Sequence, residues 1–169
     1  MSTYVLIEKY TVGAGGVSSV TLGSGGTIPQ TYTDLVIKFS LRSSNTSAEG
    51  VYISFNGSTT SFTDKYLEGS GSGASSGSLA RYVGCENYST TTSNTFNNGE
   101  IYIPNYTSSN YKSFSVDNVE ENNATAAFAT FNAGLWSNTA AITSITFTVG
   151  STRTMVQYTN FYLYGILKA

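Results

Sequence analysis

The chain has 169 residues, a net charge of −2 and a charged fraction of only 11%, while 40% of its residues are hydrophobic and 14% are aromatic. A chain of this length can bury roughly 70% of its unfolded surface, and its hydrophobic content excludes an intrinsically disordered protein. The eight basic residues are scattered singly, which excludes the basic patch expected of a protein that binds nucleic acid or an anionic membrane.

The abundance of Ser, Thr, Asn and Gly argues against long helices. Ser, Thr and Asn compete with the helical backbone for hydrogen bonds, and Gly loses more entropy in a helix than Ala does. Thr, Tyr and Phe fit a half-buried pleated surface better. The composition therefore predicts an all-β chain with little or no helix, folded as a single domain over residues 1–169.

The first predicted strand covers residues 4–12, and residues 1–12 are equally compatible with an N-terminal arm. Its apolar run is interrupted by Glu8 and Lys9, which predicts neither a signal peptide nor a membrane-spanning helix. We therefore expect the protein to be made in the cytoplasm. A second strand is predicted at 17–22, joined to the first through "GAGG" as a hairpin turn.

The next strand begins after Pro29, which fixes its own φ and favours an extended Ile28. Four apolar residues then occupy alternate positions and share one face: Leu35, Ile37, Phe39 and Leu41. Further strands are predicted at 50–58, 79–88, 99–106, 111–119, 125–136, 141–150 and 159–167. The pair Asn56-Gly57 predicts a tight hairpin turn.

About nine short strands without intervening helical periodicity favour an antiparallel β-sandwich of the jelly-roll type. The Gly- and Ser-rich stretch at 67–80 predicts a flexible surface loop. Strand signals flank that loop on both sides, so the sequence indicates no domain boundary there.

The sequence offers few groups for catalysis. It contains no His, which removes the usual general base and the commonest metal ligand, and its one cysteine, Cys85, cannot form an internal disulfide. Asp117, Asn118, Glu120 and Asn122 could supply oxygen ligands to calcium, but their spacing matches no EF-hand loop and a solvated acidic turn explains them better. We expect neither an enzyme nor a bound cofactor or metal.

Aromatic residues are the remaining candidates for a binding site, because Tyr and Trp can stack on sugar rings while their polar atoms bind hydroxyl groups. The same residues are also common in strands and in protein interfaces. The candidate contacts with a partner or a glycan are Tyr4, Tyr10, Tyr106, Tyr111 and Trp136. Residues 4–10 could add a strand to a neighbouring sheet, and residues 69–78 could become ordered on contact.

Several blocks carry a resemblance to a known group of proteins. They are "IPQTY" (28–32) before a strand that ends at Arg42, "FNG" (55–57), "LEGSGSG" (67–73), "GEIYIPNY" (99–106), "GLWSNTAAITSITF" (134–147) and "LYGI" (163–166). From about residue 27 to the end, the chain resembles a group of tailed-bacteriophage virion proteins.

The resemblance implies a β-sandwich structural component of the phage particle, commonly trimeric. We expect a capsid decoration (cement) protein that binds the major capsid protein or other virion proteins and stabilises the assembled head. The alternative is a head- or tail-fibre module that binds glycan on the host surface. The chain has no heptads and no Gly-X-Y run, which favours decoration over a fibre. A depolymerase with two carboxylates is a third hypothesis, for which the sequence shows no motif.

Overall fold

The computed structural model describes residues 4–123, 127–150 and 152–167. Those ranges contain eleven named strands, all paired antiparallel, and no helix. The strands are β1 (Tyr4–Thr11), β2 (Ser19–Leu22), β3 (Asp34–Leu41), β4 (Val51–Phe55), β5 (Phe62–Gly69), β6 (Ala74–Gly77), β7 (Asn97–Ile103), β8 (Lys112–Glu120), β9 (Phe128–Trp136), β10 (Ile145–Val149) and β11 (Asn160–Ile166). Residues 1–3 of the predicted arm and 125–126 of a predicted strand lie outside the described residues.

The strands form two unequal sheets. The large sheet has eight strands in the order β1-β11-β3-β7-β8-β9-β5-β6, and the small sheet has three in the order β2-β10-β4. Strands from the first half of the chain pair with strands from the second half: β1 pairs with β11, β2 with β10 and β3 with β7. This is the winding of a jelly roll, and β8, β9, β5 and β6 extend its large sheet. The predicted all-β antiparallel sandwich is confirmed.

The apolar core lies where the two sheets face each other. The predicted inner face of β3 is confirmed, since Leu35, Ile37, Phe39 and Leu41 are all buried. The ring centroids of Phe39 and of Phe147, in the small sheet, lie 6.1 Å apart. Phe147 also stacks on Phe161 of β11, with ring centroids 4.6 Å apart. The turn after β4 has positive φ at both Asn56 and Gly57, as a type I′ turn requires, but it leads from the small sheet to β5 of the large sheet, so the predicted hairpin is wrong.

A second part of the interior is polar and lies beneath an irregular segment, residues 78–87. Asn97, Asn118 and Asn132 project from the inner faces of β7, β8 and β9 and are fully buried. The Asn97 and Asn118 side-chain amides both donate to the Cys85 carbonyl at 2.9 Å, and the Asn132 amide donates to the Tyr82 carbonyl at 2.8 Å. These three residues, the asparagine clamp, fix the segment to the sheet.

The strand predicted at 79–88 is wrong, because the segment has an irregular backbone that the asparagine clamp holds in place. Segment 78–87 runs beside β4 with hydrogen bonds between Val51 and both Val83 and Gly84, but Arg81 and Gly84 have positive φ values of 71° and 115°. These two residues interrupt the extended conformation, so only isolated bridges remain. The side-chain amides of the clamp satisfy carbonyls that a regular ladder would otherwise pair.

Two other predictions differ from the structure. The "GAGG" stretch does contain a turn, with the Gly16 N–H donating to the Gly13 carbonyl, but it leads from the large sheet to the small one and does not close a hairpin. Strands β5 and β6 were not predicted, and the stretch 67–80 expected as a loop holds the end of β5 and all of β6. The inner positions of β5 include Asp64, which breaks the apolar alternation that signals a strand.

Candidate interaction surface

Two of the five predicted contact residues are buried, and their prediction as surface contacts is wrong. Trp136 is 1% exposed and stacks on Phe62 with ring centroids 6.0 Å apart, while Phe55 meets its edge at 5.6 Å. Tyr106 is fully buried and donates its hydroxyl to the Pro29 carbonyl. Neither ring can reach a sugar or a partner protein without opening the core.

The other three predicted residues lie in different environments. Tyr10 points to the inner face of β1 beside Phe161 and is half-buried against the core. Tyr111 is exposed in the turn before β8. Tyr4 is exposed on the outer face of β1, where its ring meets the edge of the Tyr164 ring at 6.3 Å. The structure therefore brings none of the five together in one site.

The outer face of the large sheet carries an apolar surface near β1. Leu6, Tyr164, Val36 and Tyr102 follow one another directly across β1, β11, β3 and β7. Val36 is 1% exposed although it points away from the core, because it lies between the two tyrosines. Together with Tyr4, these residues form the aromatic patch, in which Tyr4 and Leu6 are 47% and 51% exposed.

The aromatic patch adjoins an open sheet edge. Strand β1 has eight residues and is an edge strand, since β11 is its one hydrogen-bonded neighbour among the strands of the described residues. From Leu6 onward, the side of β1 that faces away from β11 is therefore open to a further strand. The remaining edges are shorter: β2 and β6 have four residues each, and β4 is bordered by segment 78–87. A long open edge beside exposed apolar side chains is a ready site for pairing with another chain.

A groove of about 390 Å³ lies farther across the same outer face, over β7 and β8. We call it the Phe131 groove, lined by Glu100, Tyr102, Ser115, Asp117, Val119 and Phe131. Lys38 enters it from β3 and forms an ion pair with Glu100 at 2.9 Å. Asp117 is directly opposite Glu100 in the β7–β8 register and is exposed without a counter-ion among the described residues.

Phe131 is the most prominent apolar residue of this groove and is 58% exposed. Sequence reasoning missed it because β9 inverts the usual alternation: its inner face carries Thr130 and Asn132, and its outer face carries the phenylalanine. The signal available in the sequence was "TFN", in which the polar neighbours of an apolar residue occupy the buried positions. Buried polar side chains need hydrogen-bond partners. The inversion in β9 could therefore be interpreted only with knowledge of the carbonyl groups that the asparagine clamp binds.

Segment 78–87 and the polar layer beneath it contain four titratable groups whose pKa is raised, Tyr82, Cys85, Glu86 and Glu120. Burial raises the pKa of the Cys85 thiol to about 12, in spite of the Tyr82 hydroxyl 3.0 Å away. Burial also raises the pKa of Glu86, whose carboxylate accepts hydrogen bonds from Asn45 and from the Gly50 N–H. Because the thiol stays protonated at neutral pH, this layer does not favour nucleophilic chemistry.

Three of the four residues considered as calcium ligands lie in β8, and they are divided between its two faces. Asp117 lies on the outer face, while Asn118 and Glu120 are buried on the inner face. These residues are part of a strand and do not form the solvated turn expected from the sequence. Across residues 4–123, 127–150 and 152–167, no group of three His, Cys, Asp or Glu side chains is arranged to hold a metal ion, and no helix is long and apolar enough to cross a membrane.

Comparisons with known proteins found no family model that matches the chain and no curated protein with significant sequence similarity to it.

Proposed function

We propose that this chain is a structural protein of a tailed-bacteriophage virion, and specifically a capsid decoration protein that binds and stabilises the assembled head as a homotrimer. The observation that carries the proposal is the long open edge of β1 beside the exposed Tyr4 and Leu6. This surface offers backbone groups for strand pairing and apolar area for burial. Both features are typical of surfaces through which proteins assemble.

The low charge of the chain supports the same function. A surface with few ionised groups can be buried over a large area without desolvating many charges. The residues across the aromatic patch are tyrosine, leucine and valine, of which tyrosine is enriched in protein interfaces. The partners in this proposal are the major capsid protein and neighbouring copies of the chain. Binding to the assembled lattice stabilises it through mass action.

The glycan-binding fibre module loses two of its predicted contacts, Trp136 and Tyr106, while Tyr4 and Tyr111 are exposed. That hypothesis placed the sugar on Trp136 and on exposed tyrosines, and Trp136 is part of the core. The depolymerase hypothesis has no geometric support among the described residues, since Asp117 and Glu100 are both exposed on an open sheet face and Glu100 is ion-paired with Lys38. Decoration of the head therefore remains the function that we propose.

The test uses point variants of the full chain and heads of the same phage that lack this protein. Deletion of residues 1–12 is unsuitable, because it removes the buried Val12 along with β1. Leu6→Lys places a charge on the exposed edge, where lysine opposes pairing with a second chain. Leu79→Lys is the matched control, because Leu79 is also an exposed leucine but lies outside the aromatic patch.

We expect the natural chain and Leu79→Lys to occupy heads equally, as measured by gel densitometry of sedimented particles. Leu6→Lys should lose occupancy while its unfolding temperature in solution stays close to that of the natural chain. Equal occupancy of Leu6→Lys and the control would contradict the role of the β1 surface. Failure of the natural chain to bind any head would contradict the proposed function itself.

A further inference from the structure

We propose that the Phe131 groove is a binding site for a neutral oligosaccharide. In this site one sugar ring stacks on Phe131, and the hydroxyl groups of the sugar bind Asp117, Glu100 and Asn98. The inference does not depend on the proposed function, because Asp117 on β8 and Phe131 on β9 are separated from the β1 edge by β11, β3 and β7. Tyr102 lines both the groove and the aromatic patch, so it is not changed in either test.

The first argument is the exposure of Phe131. Its neighbours on the outer face of β9 are Ala129 and Ala133, both small, so the ring rises above its own strand. An exposed phenylalanine on a sheet face has no role in the core and costs solvation free energy. The negatively charged face of an aromatic ring attracts the weakly positive C–H hydrogens on the apolar side of a sugar ring.

The second argument is the position of the polar groups around that ring. Asp117 is directly opposite Phe131 in the β8–β9 register, and Glu100 is directly opposite Asp117 in the β7–β8 register. A carboxylate accepts hydrogen bonds from hydroxyl groups with both oxygens, and these bonds are stronger than those between neutral groups. The Asn98 side chain, which also lines the groove, can both donate and accept.

The third argument is the mixture of donors and acceptors, which selects a polyol over other ligands. Each sugar hydroxyl both donates and accepts, and the groove offers both functions through Lys38, Asn98 and Ser115 as donors and through its two carboxylates as acceptors. A cationic side chain of a partner protein would need acceptors only and would meet the Lys38 ammonium. An acidic sugar would meet two carboxylates against one ammonium, so the charge balance favours a neutral one.

The groove also has a suitable shape. Its volume of about 390 Å³ lies within the range of small-ligand sites, and it remains open along the sheet face. Tyr102 forms its far wall with a fixed ring, because the Tyr102 hydroxyl donates to Asp34 at 2.9 Å. An open groove between two aromatic residues accommodates part of a longer chain, so an oligosaccharide fits it better than a free monosaccharide.

The test is a glycan array that holds neutral and acidic oligosaccharides, followed by calorimetric titration of the natural chain with the best ligand. Phe131→Ala removes the stacking surface, and Asp117→Ala removes the unpaired carboxylate. Tyr158→Ala is the matched control, because it removes an exposed aromatic ring that lies outside the groove. All variants alter exposed side chains, and their folding is checked by circular dichroism.

We expect binding to at least one neutral oligosaccharide, with a loss of affinity of about tenfold or more in Phe131→Ala and in Asp117→Ala. Tyr158→Ala should bind as the natural chain does. Absence of binding across the array, preference for acidic sugars, or binding that Phe131→Ala leaves unchanged would each overturn the proposal. Binding of an arginine-rich peptide that Phe131→Ala weakens and with which sugars do not compete would also overturn the proposal. None of these results would affect the occupancy of heads.

Discussion

Glu120 is a carboxyl group on the inner face of β8, and its ionisation should make the stability of this protein depend on pH. The residue is 1% exposed, and its Oε1 accepts a hydrogen bond from the Asn122 amide at 2.8 Å. Its Oε2 has no hydrogen-bond partner among the described residues. Burial, reinforced by the charges of Glu86 and Glu68, raises the pKa of Glu120 from 4.5 to about 7.

The sign of the effect follows from proton linkage. Because the pKa is higher in the folded protein, the folded state binds more protons than the unfolded state between about pH 4.5 and about pH 7. The free energy of unfolding is therefore highest below this window and falls as the pH rises through it. The difference between the two pKa values corresponds to a loss of roughly 3 kcal/mol above pH 7. Glu86, whose pKa burial also raises, acts in the same direction.

The assay is urea unfolding at a series of pH values from about 5 to about 8. The natural chain should lose stability across this range, and Glu120→Gln should lose much less, because the amide carries no charge at any of these pH values. Glu121→Gln is the matched control, since Glu121 is the adjacent glutamate but is exposed. Parallel pH profiles for the natural chain and Glu120→Gln would refute the reasoning.

Other predictions concern the irregular segments. Gly84→Ala should lower the free energy of unfolding by about 3 kcal/mol or more, because its φ is 115° and a Cβ atom would lie 2.3 Å from the Asn118 amide nitrogen. Gly71→Ala should lower it by only about 1 kcal/mol, because its φ is 79° but a Cβ atom there would meet open space. Arg42 donates to three backbone carbonyls of one loop, so Arg42→Lys should cost about 1–2 kcal/mol and Arg153→Lys almost nothing. Urea unfolding measures all four variants, and equal losses within either pair would contradict the stated cause.

The sequence predicted well those strands whose buried face is apolar. Leu35, Ile37 and Phe39 alternate with polar residues, and the burial of one face is enough to fix such a strand and its orientation. The local conformation of the Asn56-Gly57 turn was also predictable, although the strands that it joins, β4 and β5, belong to different sheets and form no hairpin. The pairing of β1 with β11 was not, since it joins strands from opposite ends of the chain.

Prediction failed where the interior is polar. Asn97 and Asn118 occupy core positions because they bind the Cys85 carbonyl, and no local pattern shows that an irregular segment will cover them. The same inversion hid Phe131, which periodicity would place inside. Trp136 was predicted at the surface for a different reason, because composition cannot separate an exposed aromatic ring from a buried one. Long-range hydrogen bonds therefore decided the error at Phe131, and packing of the core decided the error at Trp136.

The proposed function implies a phage that encodes this chain, and its most direct test is immunogold labelling of intact virions of that phage, viewed by electron microscopy. The proposal of a capsid decoration protein predicts gold particles spread over the whole head. Label confined to the tail tip or to fibres, or virions that carry no label although the antibody recognises the purified native protein, would contradict it.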